Sequence, residues 1–331
     1  MMETEAGTTA RNDRLRRRKL GYLLIAVAAV TYSTTEVSIK SVGKNFGVMQ
    51  LTVLRVLFGG LFLLPFALRQ LRQGGHRLGW ADLRLFAALG FICVTLHTTF
   101  LQLALSSMDA SAVAAIYSGN PIFAAIFAHF LLKEPLLRQN VAALGLEIVG
   151  ILCILNPFHI QISLTGFLFA VLATVGFAMY GTFSRVSVRK YGSIPIACLV
   201  LLLGGLELLL LVLLGETSAV GALYSHLHMD IFVNVSFFTG FTARSTLIFL
   251  YICIVVTGCG YLLMTKAVEY TSATEASFIY LFKPIIAAAF SALLLHETIS
   301  VNRIVGIGFF TAASLVAILP VLLEMRRERV S

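Results

Sequence analysis

The chain of 331 residues is short of charge. Asp, Glu, Lys and Arg make up 12% of it, against 58% hydrophobic residues. Soluble globular domains carry about 25% charged residues, so this composition cannot be hidden inside a water-soluble fold. The mean hydropathy of +0.91 agrees. An integral membrane protein is expected, with one membrane domain and no separate soluble one. Other classes are excluded by missing motifs. No G-x-x-x-x-G-K-[ST] run occurs, which argues against an ATP-driven pump. There is no H-E-x-x-H and no pair of intramembrane aspartates, Asp109 falling in a loop, which argues against an intramembrane enzyme. A channel usually wants a symmetric pore with rings of charge, and a single chain of this pattern offers none. The five cysteines (Cys93, Cys153, Cys198, Cys253 and Cys259) lie in apolar runs without C-x-x-C or metal spacing, and read as small buried thiols. The sequence asks for no cofactor and no metal.

What charge there is has a pattern. The net +9 is concentrated in flanking runs, RNDRLRRRKL at the start and EMRRERV at the end. Such clusters hold the ends of a membrane domain against anionic lipid, so the partner they imply is the bilayer and not nucleic acid. The first apolar run, from Leu20, lacks a small-residue cleavage site and reads as a signal anchor. A spanning helix needs about 20 mostly apolar residues. Ten candidates meet this, helices 1 to 10, at 20–40, 48–68, 84–105, 110–132, 138–156, 163–184, 193–214, 246–267, 273–295 and 302–323. With the N-terminus inside, 19 of the 25 Lys and Arg fall in cytoplasmic segments, 4 fall outside, and Arg55 and Lys283 lie within spans. That split predicts both termini in the cytoplasm of a multi-pass cell-membrane protein. The expected organisation is a basic tail at 1–19, five helices over 20–157, five more over 163–323 with an external insertion at about 215–245, and a tail at 324–331. The insertion suggests a short interfacial helix or strand and carries no functional assignment.

The two halves repeat. At an offset of 163, residues 110–135 (ASAVAAIYSGNPIFAAIFAHFLLKEP) match 273–298 (ATEASFIYLFKPIIAAAFSALLLHET) at eleven positions without a gap, among them Tyr117/Tyr280, Pro121/Pro284 and Glu134/Glu297. Helices 1 and 6 align at an offset of 145. Five helices per repeat is an odd number, so the second repeat must enter from the opposite face. The expected fold is all-α, ten transmembrane helices in two inverted five-helix repeats, with a site between them near the midplane.

The chain resembles the drug/metabolite transporter superfamily, EamA type. The residues that carry the likeness are Arg55 in LTVLRVLFGGLFLLPFAL, the passage LQLALSSMDASAVAAIYSGNPIF, the ending LLKEPLLRQNVAALGLEIVGILCIL, and their echoes in the second half. The likeness spans roughly residues 20–323. Two departures are noted. Helix 1 (TYSTTEVSIK) lacks the Trp-Gly pair frequent there, and Val200 stands opposite Arg55 in the second half. The resemblance implies a secondary transporter, most simply an exporter, for a small organic metabolite such as an amino acid.

Several polar residues at membrane depth could carry transport. Pro121 and Pro284 remove an amide donor in mid-helix and should free the carbonyls of Tyr117 and Tyr280. Lys283 and Asn120 precede the prolines at equivalent positions. An intramembrane ammonium is costly and rarely idle. Lys283 therefore reads as a contact for an anionic solute group, or else as a partner of Glu147, Glu207 or Glu275. Glu36 and Arg55 lie at similar depth on neighbouring helices and are expected to form a structural or gating ion pair. His97 with Tyr32, Tyr180 and Tyr261 completes a polar-aromatic set suited to an amphipathic solute. Proton coupling would run through His97, Glu147 or Glu207. An exchanger of phosphorylated or nucleotide-linked sugars is the alternative, weakened because no second base is evident near Lys283. Substrate, direction, coupling ion and oligomeric state are not written in this pattern.

Overall fold

The computed structural model describes the backbone of residues 2–42, 45–75, 78–108, 110–155, 163–227, 229–295 and 301–330. Side chains outside the description include those of 2–15, Glu36, Lys40, Pro284 and 320–330. Among the described residues there is helix and no strand. The expected spans appear as Met2–Val42, Val48–Gln73, Trp80–Ser107, a broken helix 4 (Ala110–Ser118 and Asn120–Leu132), Arg138–Leu155, Leu164–Tyr191, Ser193–Gly215, Ala243–Tyr270, a broken helix 9 (Ala273–Ser277 and Ile279–Leu295) and Val301–Val330. Six of these meet length and hydropathy criteria for crossing a bilayer. The basic tail is not separate from helix 1 but continues it as one helix of 41 residues.

The packing obeys a two-fold exchange. Helix 1 lies against helices 8 and 9, and helix 6 lies against helices 3 and 4. Helix 2 packs on its own equivalent, helix 7, and helix 5 on helix 10. The glycines show the register. Gly60 abuts Leu202, and Gly205 abuts Leu57, each pair being the other's image at the offset of 145. Along helices 2 and 7 residue numbers run in opposite senses, and the same holds where Gly150 meets Gly306 while Ala143 clusters with Phe310, Ala313 and Ala317. Equivalent helices that run antiparallel can be related only by an axis across them, so the repeats are inverted. In this setting small residues let helices approach where no hydrophobic drive exists between them. Gly308, in contrast, has nothing within 4 Å, so it is not one of these contacts.

Helix ends are capped where the sequence supplies hydroxyls. Ser163 accepts from the Gly166 amide at 3.3 Å, Ser272 from the Glu275 amide at 3.0 Å, and Thr242 from the Ser245 amide at 3.2 Å. Each satisfies a donor that the first helical turn leaves open. The insertion folds as a short helix, Ser218–His226, one 3-10 turn at Asp230–Phe232 and irregular chain with bends. It closes over one end of the bundle. The Gln50 amide donates to the carbonyls of Phe237 (3.2 Å) and Thr239 (2.8 Å), and Phe241 packs on Phe46 and Phe249.

Helices 3 and 8 each widen into a π-helical stretch, Phe91–Leu96 and Ile252–Cys259. The two overlap at the offset of 163. A π-turn inserts a residue and rotates the helix face beyond it. The rotated face begins with His97 in helix 3, and with Gly260 and Tyr261 in helix 8.

Candidate functional site

That rotation aims both helices at the pseudo-axis, where one ring cluster forms. Tyr117 and Tyr280, the repeated tyrosines, meet across the axis edge to face at 5.5 Å between centroids. Tyr32 of helix 1 stacks on Tyr280 at 6.2 Å, and Phe177 of helix 6 sits on Tyr117 at 6.1 Å. These are the same contact in the two repeats, since Phe177 occupies the position equivalent to Tyr32. Tyr261 and Tyr180 lie 6.2 Å apart and each touches Phe177. His97 packs at 5.0 Å from Phe177 and 5.4 Å from Tyr117. Where the first repeat has this histidine, the second has Gly260, against which Tyr32 closes.

The polar atoms of the cluster are unevenly satisfied. His97 Nδ1 is 3.0 Å from the Ala173 carbonyl, which can only accept, so Nδ1 carries a proton there. In neutral imidazole Nε2 is then an acceptor, and the Tyr117 hydroxyl donates to it across 3.5 Å. The hydroxyls of Tyr32, Tyr180, Thr35, Thr99 and Thr257 have no hydrogen-bond partner among the described residues. A buried lone hydroxyl costs about 1–3 kcal/mol, and those of Tyr32 and Tyr180 lie within the ring cluster itself. One cation borders the cluster and a second acts on it electrostatically. Lys283 Nζ stands 5.7 Å from the centre of the Tyr117 ring. Arg55 lies within electrostatic reach of Tyr32, His97, Tyr117 and Tyr261. His97 feels both cations. The rings touch one another, so an occupant must part them.

Most of the residues singled out by sequence therefore converge: His97, Tyr32, Tyr117, Tyr180, Tyr261, Tyr280 and Lys283, with Arg55 acting on several of them electrostatically. Among the described residues, Asn120 makes no hydrogen bond to the rings. It is buried, and its amide donates to the Thr174 carbonyl at 3.3 Å, tying helix 4 to helix 6. The two prolines act differently from one another. Helix 4 breaks at Gly119 and restarts with Asn120 and Pro121, so Pro121 opens a helix rather than bending one. Helix 9 runs unbroken through position 284 and breaks earlier, at Phe278. The carbonyl of Lys283, just before Pro284, receives the Ser33 hydroxyl at 3.3 Å. The Pro284 ring and the Glu36 side chain lie outside the described residues, so the Glu36–Arg55 pair remains a proposal. Glu207 receives the Thr95 hydroxyl at 3.2 Å, and Glu275 is held by Arg18 and Tyr22. Both Glu147 oxygens are buried without a hydrogen-bond partner among the described residues. Sequence reasoning missed Phe177, although the offset of 145 that aligned helices 1 and 6 places it opposite Tyr32.

A family model described as the EamA-like transporter family matches residues 19–156 and again 164–319. The chain belongs to this family. The two matched segments coincide with the two repeats. An uncharacterized transporter of Clostridium kluyveri is 28% identical over 306 residues, covering 90% of this chain and 93% of the relative. The transporter YoaV of Bacillus subtilis is 23% identical over 260 residues, covering 76% of this chain and 81% of its own length. A solved crystal structure superposes with a TM-score of 0.70 at 16% identity, covering 91% of this chain and 97% of that one, and supports the fold alone. The chain is thus a multi-pass membrane transporter of small solutes.

Proposed function

We propose that this family member carries a small organic solute bearing a negative group, such as an amino acid, out across the cell membrane by alternating access. The ring cluster is the substrate site, and both termini face the cytoplasm. The observation that carries the reading is the combination in one cluster of facing tyrosines and unpartnered hydroxyls, with one bordering cation and a second acting electrostatically. Rings with polar tips suit an amphipathic solute. Lys283 and Arg55 suit its carboxylate, since a charge-assisted bond in a site of low dielectric is among the stronger polar contacts. The two inverted repeats rock against each other around this fixed centre, and the cluster opens to each side in turn. Transport needs no bond-making chemistry, so the role is not an enzyme's. His97, fixed in one tautomer and facing Tyr117, is the group best placed to couple a proton.

One observation favours a second reading. Arg55 and Lys283 both act electrostatically on His97, and two bases match a phosphorylated or nucleotide-linked sugar better than one does. Flux assays in vesicles, run with an amino-acid mixture and separately with sugar phosphates, distinguish the two. In either case Lys283→Met should leave the protein inserted and folded while weakening solute affinity by about 1.5–3 kcal/mol, roughly ten- to a hundred-fold. Lys283→Arg should recover part of it, because a planar fork does not replace a point charge. Normal flux in Lys283→Met would remove the residue from the site. Equal loss of flux and of detergent stability would reassign it to an ion pair.

A further inference from the structure

Away from the ring cluster, a cavity of about 630 Å³ opens at the end of the bundle where helix 1 enters and helices 4, 6 and 8 finish. Charge distribution assigns that end to the cytosol. Arg17, Arg18, Glu134, Arg185, Arg189 and Glu275 are among its walls. The carboxylates there are already engaged by the protein. Glu275 accepts from Arg18 Nη2 at 2.9 Å and from the Tyr22 hydroxyl at 2.8 Å. Glu134 accepts from the Thr274 hydroxyl at 3.3 Å and the Ala273 amide at 3.5 Å, tying the end of helix 4 to the start of helix 9. Glu269, also in the wall, accepts from the Ser193 hydroxyl.

The arginines are not matched in the same way. Arg185 Nη1 donates to the Val268 carbonyl, but its buried Nε has no hydrogen-bond partner among the described residues. The Glu134 carboxylate stands 3.9 Å from that Nε, an ion pair without a hydrogen bond. Arg189 comes one helical turn later, close enough to act electrostatically on Arg185 as a like charge. Arg17 and Arg189 are exposed and make no ion pair among the described residues. Four arginines thus face three glutamates, each of which already accepts at least one hydrogen bond from the protein. Like charges held one turn apart are unfavourable until a counter-charge arrives.

We infer that this cavity binds an anion, a carboxylate or a phosphate, on Arg185, Arg189 and Arg17. Arg185 is the partly buried wall of the site, held by Glu134 at 3.9 Å without a hydrogen bond, and Arg17 and Arg189 are its exposed cations. Arginine forks suit both carboxylate and phosphate oxygens. An anion there competes with Glu134 for Arg185, and so loosens a contact between helices 4 and 6 that helps close this end. The site is separate from the ring cluster, and its occupancy requires no assumption about what the rings hold.

The test uses the full chain purified in an uncharged detergent, with inorganic phosphate titrated against chloride at constant ionic strength. A saturable rise in unfolding temperature is expected, since a ligand that binds only the folded state stabilises it. The double variant Arg17→Gln/Arg189→Gln changes two exposed side chains and should raise the half-saturation point at least ten-fold. Lys283→Met should leave that point unchanged, which separates this site from the central one. Nanodiscs of phosphatidylcholine, with and without phosphatidylglycerol, identify the source. Loss of the phosphate effect in phosphatidylglycerol discs, with that lipid retained by the wild type and released by the double variant, assigns the site to a headgroup. An undiminished phosphate effect assigns it to a soluble anion. No saturable effect of phosphate and no retained lipid, or the same response in the double variant, overturns the inference.

Discussion

The tightest contacts in the bundle offer a graded test of the inverted packing. A Cβ placed on Gly204 of helix 7 would lie 2.5 Å from the Gly90 carbonyl oxygen and 2.7 Å from Val94 Cβ of helix 3. On Gly59 of helix 2 it would lie 2.9 Å from the Cys253 carbonyl oxygen of helix 8. These sites are equivalents, each against a helix at or next to its π-turn. Non-bonded atoms rest about 3.5–4.0 Å apart, so Gly204→Ala falls about 1 Å short and the obstacle is backbone, which cannot swing aside. Overpacking of this kind costs about 1–3 kcal/mol. The gain in helix preference of Ala over Gly returns about 0.5–1 kcal/mol. A net loss of about 1–2 kcal/mol is expected for Gly204→Ala, and less for Gly59→Ala. Gly308→Ala and Gly145→Ala, with nothing within 4 Å, should be neutral or slightly stabilising. Thermal unfolding of the four variants in one detergent gives the order. If Gly204→Ala melts at or above Gly308→Ala, helices 3 and 7 do not approach this closely.

Topology and pairing give further tests. Single cysteines at positions in 218–240 should react with an impermeant thiol reagent applied outside cells, while cysteines in 70–80 should not. Equal labelling would refute the orientation argued from charge. Glu36→Gln and Arg55→Gln should each impair folding or flux, and exchanging the two residues should restore part of the loss. Strictly additive effects in that double-mutant cycle would dismiss the pair.

Much of this protein is legible along the chain because the bilayer is a severe solvent. It demands long apolar helices with internally paired backbone, so span number and location follow from composition alone. The repeated segment around Tyr117 and Tyr280, with an odd number of helices per copy, then implies inversion before any contact is known. Sequence also chose the tyrosines, His97 and Lys283, because polar groups at such depth are costly and persist where they are used.

Only the tertiary structure decided which of those groups share a site. A one-residue rotation separates a residue facing the axis from one facing a neighbour, and the π-turns of helices 3 and 8 change that rotation locally without a plain sequence mark. So Phe177 joined the cluster, Arg55 came within reach of it, and Asn120 turned to helix 6. The identical prolines also parted company, Pro121 starting a helix while helix 9 runs on through position 284, because the break falls at Gly119 in one repeat and at Phe278 in the other. The charge of the terminal cavity was visible as composition, but which arginines lack a partner depends on distances between helices 4, 6, 8 and 9. Periodicity along one helix fixes what faces outward or inward. It carries no information about the register between helices, and that register is set by where glycines allow the backbones to touch.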